Sequence, residues 1–267
     1  MKQRIFIVPH DLTPVADKAL KQAIQLSKSI ESKIILVHIV QKESEIINAE
    51  NRLKKIIDSN SKEQKIEYLV KKGSIFTDIG KLADSHKATA IIMGTHGAKG
   101  MQKVFGSFAM KVIISTSVPF MVIQEGTILK DFNKICFSIE ANSESMQIMS
   151  LAGNLAKTYN AKVFIIAEKE KDIKIAKKIK NNLTVLSKHM QKISVDFHLE
   201  LLENNSTWDK TVQDYAAANS IDMFAYSYDS DRFLASNDKF SQSLLFNESK
   251  IPALIINAKK ITASTYF

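Results

Sequence analysis

Short, continuous apolar runs alternate along this chain with longer stretches in which apolar residues recur every three or four positions. IFIVP (residues 5–9) is a run of the first kind and predicts a strand buried on both faces. The stretch after it places Ala16, Ala19, Leu20, Ala23, Ile24 and Leu26 at helical spacing, with Thr13 as the expected N-cap and Pro14 at the first helical position. The alternation continues with a strand at 33–40, a helix at 44–59, a strand at 65–73, a helix at 75–87 and a strand at 89–93. A glycine-containing stretch, 94–107, then leads into a helix and a strand at 118–124. Strand and helix in regular alternation with short links predict an α/β fold with a parallel sheet covered on both faces.

The pattern then starts again. KICFSIE (134–140) is similar to IFIVPHD, SESMQIMSLAGNLAKTYN (143–160) to the first helix and AKVFIIAE (161–168) to the second strand. ISVDFHLELL (193–202) alternates as a third strand. A helix at 208–220, a strand at 221–227 and a strand at 251–257 complete the set, and IPALII is similar to VPFMVI. Two copies of one α/β domain are expected, at 1–126 and 133–267, joined by the linker EGTILKDF near 125–132.

Composition changes this picture little. The chain has 267 residues, enough for two domains of ordinary size, and its 45% apolar and 24% charged content is that of a globular protein. No apolar run approaches membrane-spanning length, and the start MKQRIFIVPHD is too short in apolar residues for a secretion signal, so a cytoplasmic location is expected. Cys136 is alone, which removes a disulfide framework or cysteine zinc site and predicts a small core residue. The net charge of +9 comes from lysines scattered along helices, as in KEKDIKIAKKIKNN (169–182), where they alternate with apolar positions. That is a solvated helix face, and no nucleic-acid-binding motif stands beside it.

The informative stretch is GTHGAKGMQKVFGS (94–107), which holds four of the chain's eight glycines. Read from the run TAIIM, it begins at the end of the fourth strand and runs into a helix. Glycines let backbone N–H groups approach an anion, and a helix N-terminus adds free N–H groups and a positive dipole end. The stretch is neither a Walker A loop, since it lacks the Gly-Lys-Ser/Thr ending, nor the dinucleotide fingerprint, which follows the first strand. A plain connector with glycine at positive φ remains the alternative. His10, His38 and His96 have no Cys, Asp or second His at ligand spacing, so no metal site is expected.

Taken together, IFIVPHDLTPVADKAL, KIILVHIV, IIMGTHGAKGMQKVFGSFAMKVI and VPFMVI resemble the universal stress protein family, in order across the first half and more weakly in the second. The chain resembles a tandem universal stress protein. The resemblance implies two Rossmann-like (adenine-nucleotide α-hydrolase-like) domains, each a five-stranded parallel sheet in order 3-2-1-4-5 with helices on both faces. It also implies ATP or AMP, with or without Mg, as ligand of the first domain. The family's G-x2-G-x9-G-[ST] motif is matched by Gly94, Gly97, Gly106 and Ser107, with eight residues instead of nine between Gly97 and Gly106. On the same resemblance, Asp11 accepts from the adenine amino group and the backbone of Ile39 faces adenine. Met93 and Gly94 face ribose, and Gly97, Gly106, Ser107 and the N–H of Phe108 hold phosphates. The residue-level alternative for Asp11 is a cap on the following helix.

The second half departs from this pattern. Its counterpart of GTHG is SYDS (227–230), Glu140 stands for Asp11, and the stretch near DKFSQSLLFNE has no glycine. Side chains at Tyr226, Tyr228 and Asp229 would crowd a phosphate cradle, and Asp229 and Asp231 would repel an anion. No nucleotide is expected there. In the family the fifth strands pair to make dimers, so VPFMVI and IPALII are expected to pair within the chain, and a further homodimer is open. The reading is a stress-response regulatory protein and not an enzyme, with slow ATP hydrolysis or autophosphorylation left open by analogy. The alternative is a protein-interaction module without nucleotide. Adenylyltransferases and ATP pyrophosphatases of the wider fold group are disfavoured, because PHDLTP replaces the loops they need after the first strand.

Overall fold

The structure is a computed structural model that describes residues 4–60, 65–95, 110–204, 206–228 and 239–258. It divides into two compact units, Met1–Leu129 and Lys130–Phe267.

In the first unit the elements are β1 (Arg4–Pro9), α1 (Pro14–Ser29), β2 (Ser32–Val40), a 3₁₀ turn (Glu43–Glu45), α2 (Ile46–Asn60), β3 (Ile66–Lys72), α3 (Ile75–Ser85), β4 (Ala90–Thr95), helical residues 110–113 and β5 (Phe120–Gln124). The strands are parallel in the order β3-β2-β1-β4-β5, so the order reverses direction between β1 and β4. Phe6, Ile7 and Val8 of β1 and Ile34 to Val37 of β2 are buried in continuous runs, as a sheet covered on both faces requires.

Helix α1 begins as its sequence dictates. Thr13 is the extended N-cap and Pro14 occupies the first turn, where its missing N–H costs nothing. Ala16, Ala19, Leu20, Ala23 and Leu26 form the buried face, whereas Ile24 is only half-buried. Small alanines let this helix lie close to the sheet. Near its N-terminus Lys18 ties it to the chain beyond β5, its ammonium donating to the carbonyls of Glu125 and Thr127.

The second unit contains β6 (Lys134–Ile139), a 3₁₀ turn (Glu144–Met146), α4 (Ile148–Tyr159), β7 (Lys162–Glu168), α5 (Ile173–Lys192), β8 (Phe197–Leu202), α6 (Trp208–Ala218), β9 (Met223–Tyr228), α7 (Lys239–Leu245) and β10 (Ala253–Asn257). Its strands are again parallel, in the order β8-β7-β6-β9-β10, the arrangement of the first unit. The lysine-rich α5 is longer than the stretch that suggested it. Asp172 caps it by accepting from the N–H groups of Lys174 and Ile175, and Ile179, Leu183, Leu186 and Met190 form its buried stripe.

Cys136 is buried in β6, where burial pushes its thiol pKa far up, as befits an unreactive core residue. Among the described residues no helix is long and apolar enough to cross a membrane.

One strand limit differs from the sequence reading in a way that matters. The apolar run ends at Met93, but β4 continues through Gly94 and Thr95. Both are paired with β5, Gly94 opposite Ile123 and Thr95 opposite Gln124, and the Glu125 N–H donates to the Thr95 carbonyl at 3.1 Å. Backbone pairing extends the strand where hydrophobicity gives out. Gly94 is therefore a strand residue and not the first residue of a loop, and Thr95 is buried in the sheet.

Candidate functional site

A parallel sheet gathers the carboxyl ends of its strands on one edge. In the first unit the turn after β1, the end of β2 and the end of β4 meet there, at the reversal of strand order. A cavity of about 120 Å³ lies at this point. It is lined by Pro9, His10 and Asp11 after β1, by Val37, His38 and Ile39 of β2, and by Met93, Gly94 and Thr95 of β4. Ala16 of α1, Ile75 and Ile79 of α3, and Val112 add apolar walls. The lining is mostly apolar with a few polar groups, the usual character of a small-molecule site. A second cavity, of about 300 Å³, adjoins it through His38 and Ile39 and is lined further by Gln41, Glu45, Asn48 and Arg52.

Four residues that the sequence singled out, Asp11, Ile39, Met93 and Gly94, share the first cavity although up to 83 positions separate them. The remaining four, Gly97, Gly106, Ser107 and Phe108, lie outside the described residues, as does His96.

Asp11 has the local role that its sequence allows. Its Oδ1 accepts from the Thr13 N–H at 3.2 Å and from the Thr13 hydroxyl, closing the turn that starts α1. The turn contains Leu12 in the left-handed region, at φ 68°. The carboxylate stays exposed at the cavity rim.

Gly94 has a packing reason to be glycine. A Cβ built there would stand 2.5 Å from the Val15 carbonyl oxygen and 3.1 Å from the Ala16 nitrogen. The first turn of α1 rests on β4 at this point, so any side chain would push the helix off the strand. The sequence reading offered Gly94 as a ligand contact or as part of a plain connector, and included no such packing contact.

Two histidines that the sequence left without a role organise the site. His10 is buried, its Nδ1 accepting from the Leu12 N–H at 3.1 Å. Its Nε2 therefore carries the proton and donates to Asp17 Oδ1 at 3.1 Å. Burial lowers the His10 pKa below its ordinary value, and the neighbouring Asp17 carboxylate offsets part of that shift. His38 donates from Nδ1 to the His10 carbonyl at 2.6 Å. Sequence spacing could not show this, because the acceptor is a backbone carbonyl 28 residues away.

The equivalent region of the second unit is built differently. The Ile5 N–H donates to Thr89 Oγ1 and the Thr89 N–H to the Ile5 carbonyl. Lys134 and Asp222 repeat both bonds. This equates Lys134 with Ile5 and Asp222 with Thr89, and hence Glu140 with Asp11 and Ser227 with Gly94. Ser227 has space for its side chain because the 3₁₀ turn at Glu144–Met146, and not a helix start, faces β9. Its hydroxyl donates to the Glu144 carbonyl at 2.6 Å.

The loop after β6 is fastened to itself. Asn142 donates to Glu140 Oε2 at 2.6 Å, and Asn182 Nδ2 donates to the carbonyls of Glu140 and Asn142 at 2.9 and 3.0 Å. Tyr226 and Tyr228 are buried, and the Tyr226 hydroxyl donates to the Ser241 carbonyl of α7. Tyr226 thus joins β9 to α7, a role other than the crowding of a crevice expected from the sequence. Asp229 and Asp231 lie outside the described residues.

Comparison with known proteins fits this architecture. Residues 3–124 match the model of the Universal stress protein family. The matched residues span β1 to β5 of the first unit. Among curated proteins no significant match is found. Of solved structures, a universal stress protein from Archaeoglobus fulgidus DSM 4304 is 15% identical and covers 97% of this chain and 100% of its own, with a TM-score of 0.74. A putative universal stress protein from Pseudomonas aeruginosa UCBPP-PA14 is 14% identical and covers 96% of this chain and 93% of its own, with a TM-score of 0.66. These two share the fold along nearly the whole chain. A universal stress protein from Archaeoglobus fulgidus solved in complex with dAMP is 22% identical and covers 45% of this chain and 97% of its own, with a TM-score of 0.38.

Proposed function

We propose that the universal stress protein domain binds an adenine nucleotide, ATP or AMP, at the carboxyl ends of β1, β2 and β4, and acts as a nucleotide-dependent regulator. The observation that supports this reading is the convergence of Asp11, Ile39, Met93 and Gly94 on one cavity at the reversal of strand order. The apolar walls from α3 and β2 suit a flat base. The exposed Asp11 carboxylate at the rim suits its exocyclic amino group. On this reading Gly97, Gly106, Ser107 and the Phe108 N–H carry the phosphates. The second unit takes no nucleotide in this manner, since its Glu140 is engaged by Asn142 and its Ser227 fills the place of Gly94.

We do not assign an enzymatic activity. Phosphoryl transfer needs a positioned water or hydroxyl and charge stabilisation at the transferring group. The described lining of the first cavity supplies neither Lys nor Arg, and Arg52 lines the second, so slow hydrolysis or autophosphorylation stays a minor alternative.

A second reading, an interaction module without nucleotide, draws support from Gly94. Its glycine is accounted for by the packing of α1 on β4 without any ligand.

Melting the full chain with Mg-ATP or AMP separates the two. Nucleotide at a hundredfold its Kd should add about 2.7 kcal/mol of stability. Asp11→Asn keeps an oxygen for the Thr13 turn but removes the charge, and should reduce the shift several-fold. Absence of a shift at millimolar ATP and AMP, with no adenine nucleotide released on denaturing the purified protein, rules out the nucleotide reading.

A further inference from the structure

We propose that the second unit dimerises through the open edge of β8, which pairs antiparallel with β8 of a second copy of this chain in one register, centred on Leu199. Among the described strands β8 pairs with β7 alone and ends the sheet. The Val163 N–H donates to the Asp196 carbonyl and the Lys169 N–H to the Leu202 carbonyl, both at 2.9 Å. The even-numbered residues thus bond to β7, and Phe197, Leu199 and Leu201 aim their N–H and carbonyl groups away from it. An edge of this kind is a template for another strand.

The edge lacks the residues that ordinarily guard one. No Lys or Pro occurs from 193 to 208, in a chain with 37 Lys and Arg. By contrast β3, the end strand of the first unit, carries exposed Lys71 and Lys72. Leu199 and Leu201, 38% and 48% exposed, share one face of β8. On the other face His198 and Glu200 are half-exposed, with His198 Nε2 3.2 Å from Glu200 Oε2.

The order of residues selects a second copy as the occupant. Phe197-His198-Leu199-Glu200-Leu201 is complementary to itself read backwards. Antiparallel pairing about Leu199 sets Leu199 against Leu199 and Phe197 against Leu201, residues whose outward backbone groups then exchange bonds. It also sets His198 of each copy against Glu200 of the other, at the non-hydrogen-bonded positions where side chains come closest. A carboxylate has two oxygens, so Glu200 serves its own His198 and that of the second copy. A slip of two residues is the smallest that keeps the outward groups facing each other. It sets Glu200 against Glu200 in one direction and against Asp196 in the other, like charges in both cases. The two-fold axis closes the dimer and leaves no free β8 edge for further growth.

The test is sedimentation of the full chain over roughly 1 µM to 1 mM, the span of a weak, small interface. A concentration-dependent monomer–dimer equilibrium is expected. His198→Glu places acid against acid in both cross-strand pairs and should weaken the dimer about tenfold. Combining His198→Glu with Glu200→Lys restores opposite charges and should recover it. Mild oxidation reads the register. Leu199→Cys lies on the two-fold axis, with Cα atoms about 5.5 Å apart, and should give disulfide-linked dimers. Leu201→Cys in the two copies lies about 14 Å apart and should not. Cys136 is buried and does not compete. A chain that stays monomeric throughout overturns the proposal. So does a dimer that His198→Glu leaves intact, or one that links through Leu201→Cys and not through Leu199→Cys.

Discussion

At the scale of the residue, two positions show how chemistry is set by neighbours that a sequence does not display. Gly94 was legible as a member of a glycine-rich segment but not as a packing requirement, because the Val15 carbonyl that forbids a Cβ belongs to another element. Gly94→Ala should therefore destabilise the first unit by about 1–3 kcal/mol, the usual cost of overpacking, seen as a lower urea midpoint without nucleotide. An unchanged midpoint would mean that α1 yields freely. His10 is the second case. Its neighbour Asp11 was readable from the resemblance, whereas His10 acts through the Leu12 N–H and Asp17, contacts made by a turn with a left-handed residue. Burial lowers its folded pKa below 6.5, so the unfolded chain binds the proton more readily. Stability is then complete above about pH 6.5 and falls as pH drops below it, until the folded group also titrates. His189 shifts in the same direction through burial and Lys192 and contributes the same sign. The urea midpoint should fall between pH 7.5 and 5.5, and His10→Asn should flatten part of that slope and leave the His189 share. A slope unaltered by the substitution would show that His10 does not couple to folding.

At the scale of the element, apolar runs identified most of the described strands, because parallel strands covered on both faces need continuous hydrophobicity, whereas the half-exposed β8 was read from its alternation. Their limits were less legible. β4 outlasts its apolar run through pairing with β5, and the 3₁₀ turns at Glu43–Glu45 and Glu144–Met146 are too short to carry any periodicity. These turns matter, since the second of them leaves room for Ser227. Helix α2 is amphipathic in sequence, yet only Ala49 and Leu53 are buried on it. Leu53 is its one fully buried large side chain, beside the half-buried Ile46, Ile56 and Ile57, and is the main anchor of its docking to β2 and β3. Leu53→Ala should cost roughly 2–5 kcal/mol. Amide exchange should rise along Ile46–Asn60 more than along α1, whose buried face has several members. Equal protection of the two helices in the variant would show that α2 is held by other contacts.

At the scale of the whole molecule, the order of runs starts again in the sequence, and the strand orders of the two units agree. What distinguishes the copies chemically lies in a handful of positions at the strand ends. Glycine at position 94 admits the first turn of α1, whereas Ser227 bonds to a 3₁₀ turn. Asp11 is exposed and accepts from Thr13 in its own turn, whereas Glu140 is half-buried, accepts from Asn142 and is tied to α5 through Asn182. The proposed site in the first unit alone predicts a stoichiometry of one nucleotide per chain. Calorimetry with AMP should give a value near one, and hydrogen exchange should show new protection at the ends of β1, β2 and β4 but none at the ends of β6, β7 and β9. Freeing the second loop with Asn182→Ala removes the side chain that ties it to α5 and should not by itself raise the stoichiometry, since Ser227 remains. A stoichiometry of two in the wild type would show that the bonded loop of the second unit opens for ligand, and the division of labour between the units would then have to be abandoned.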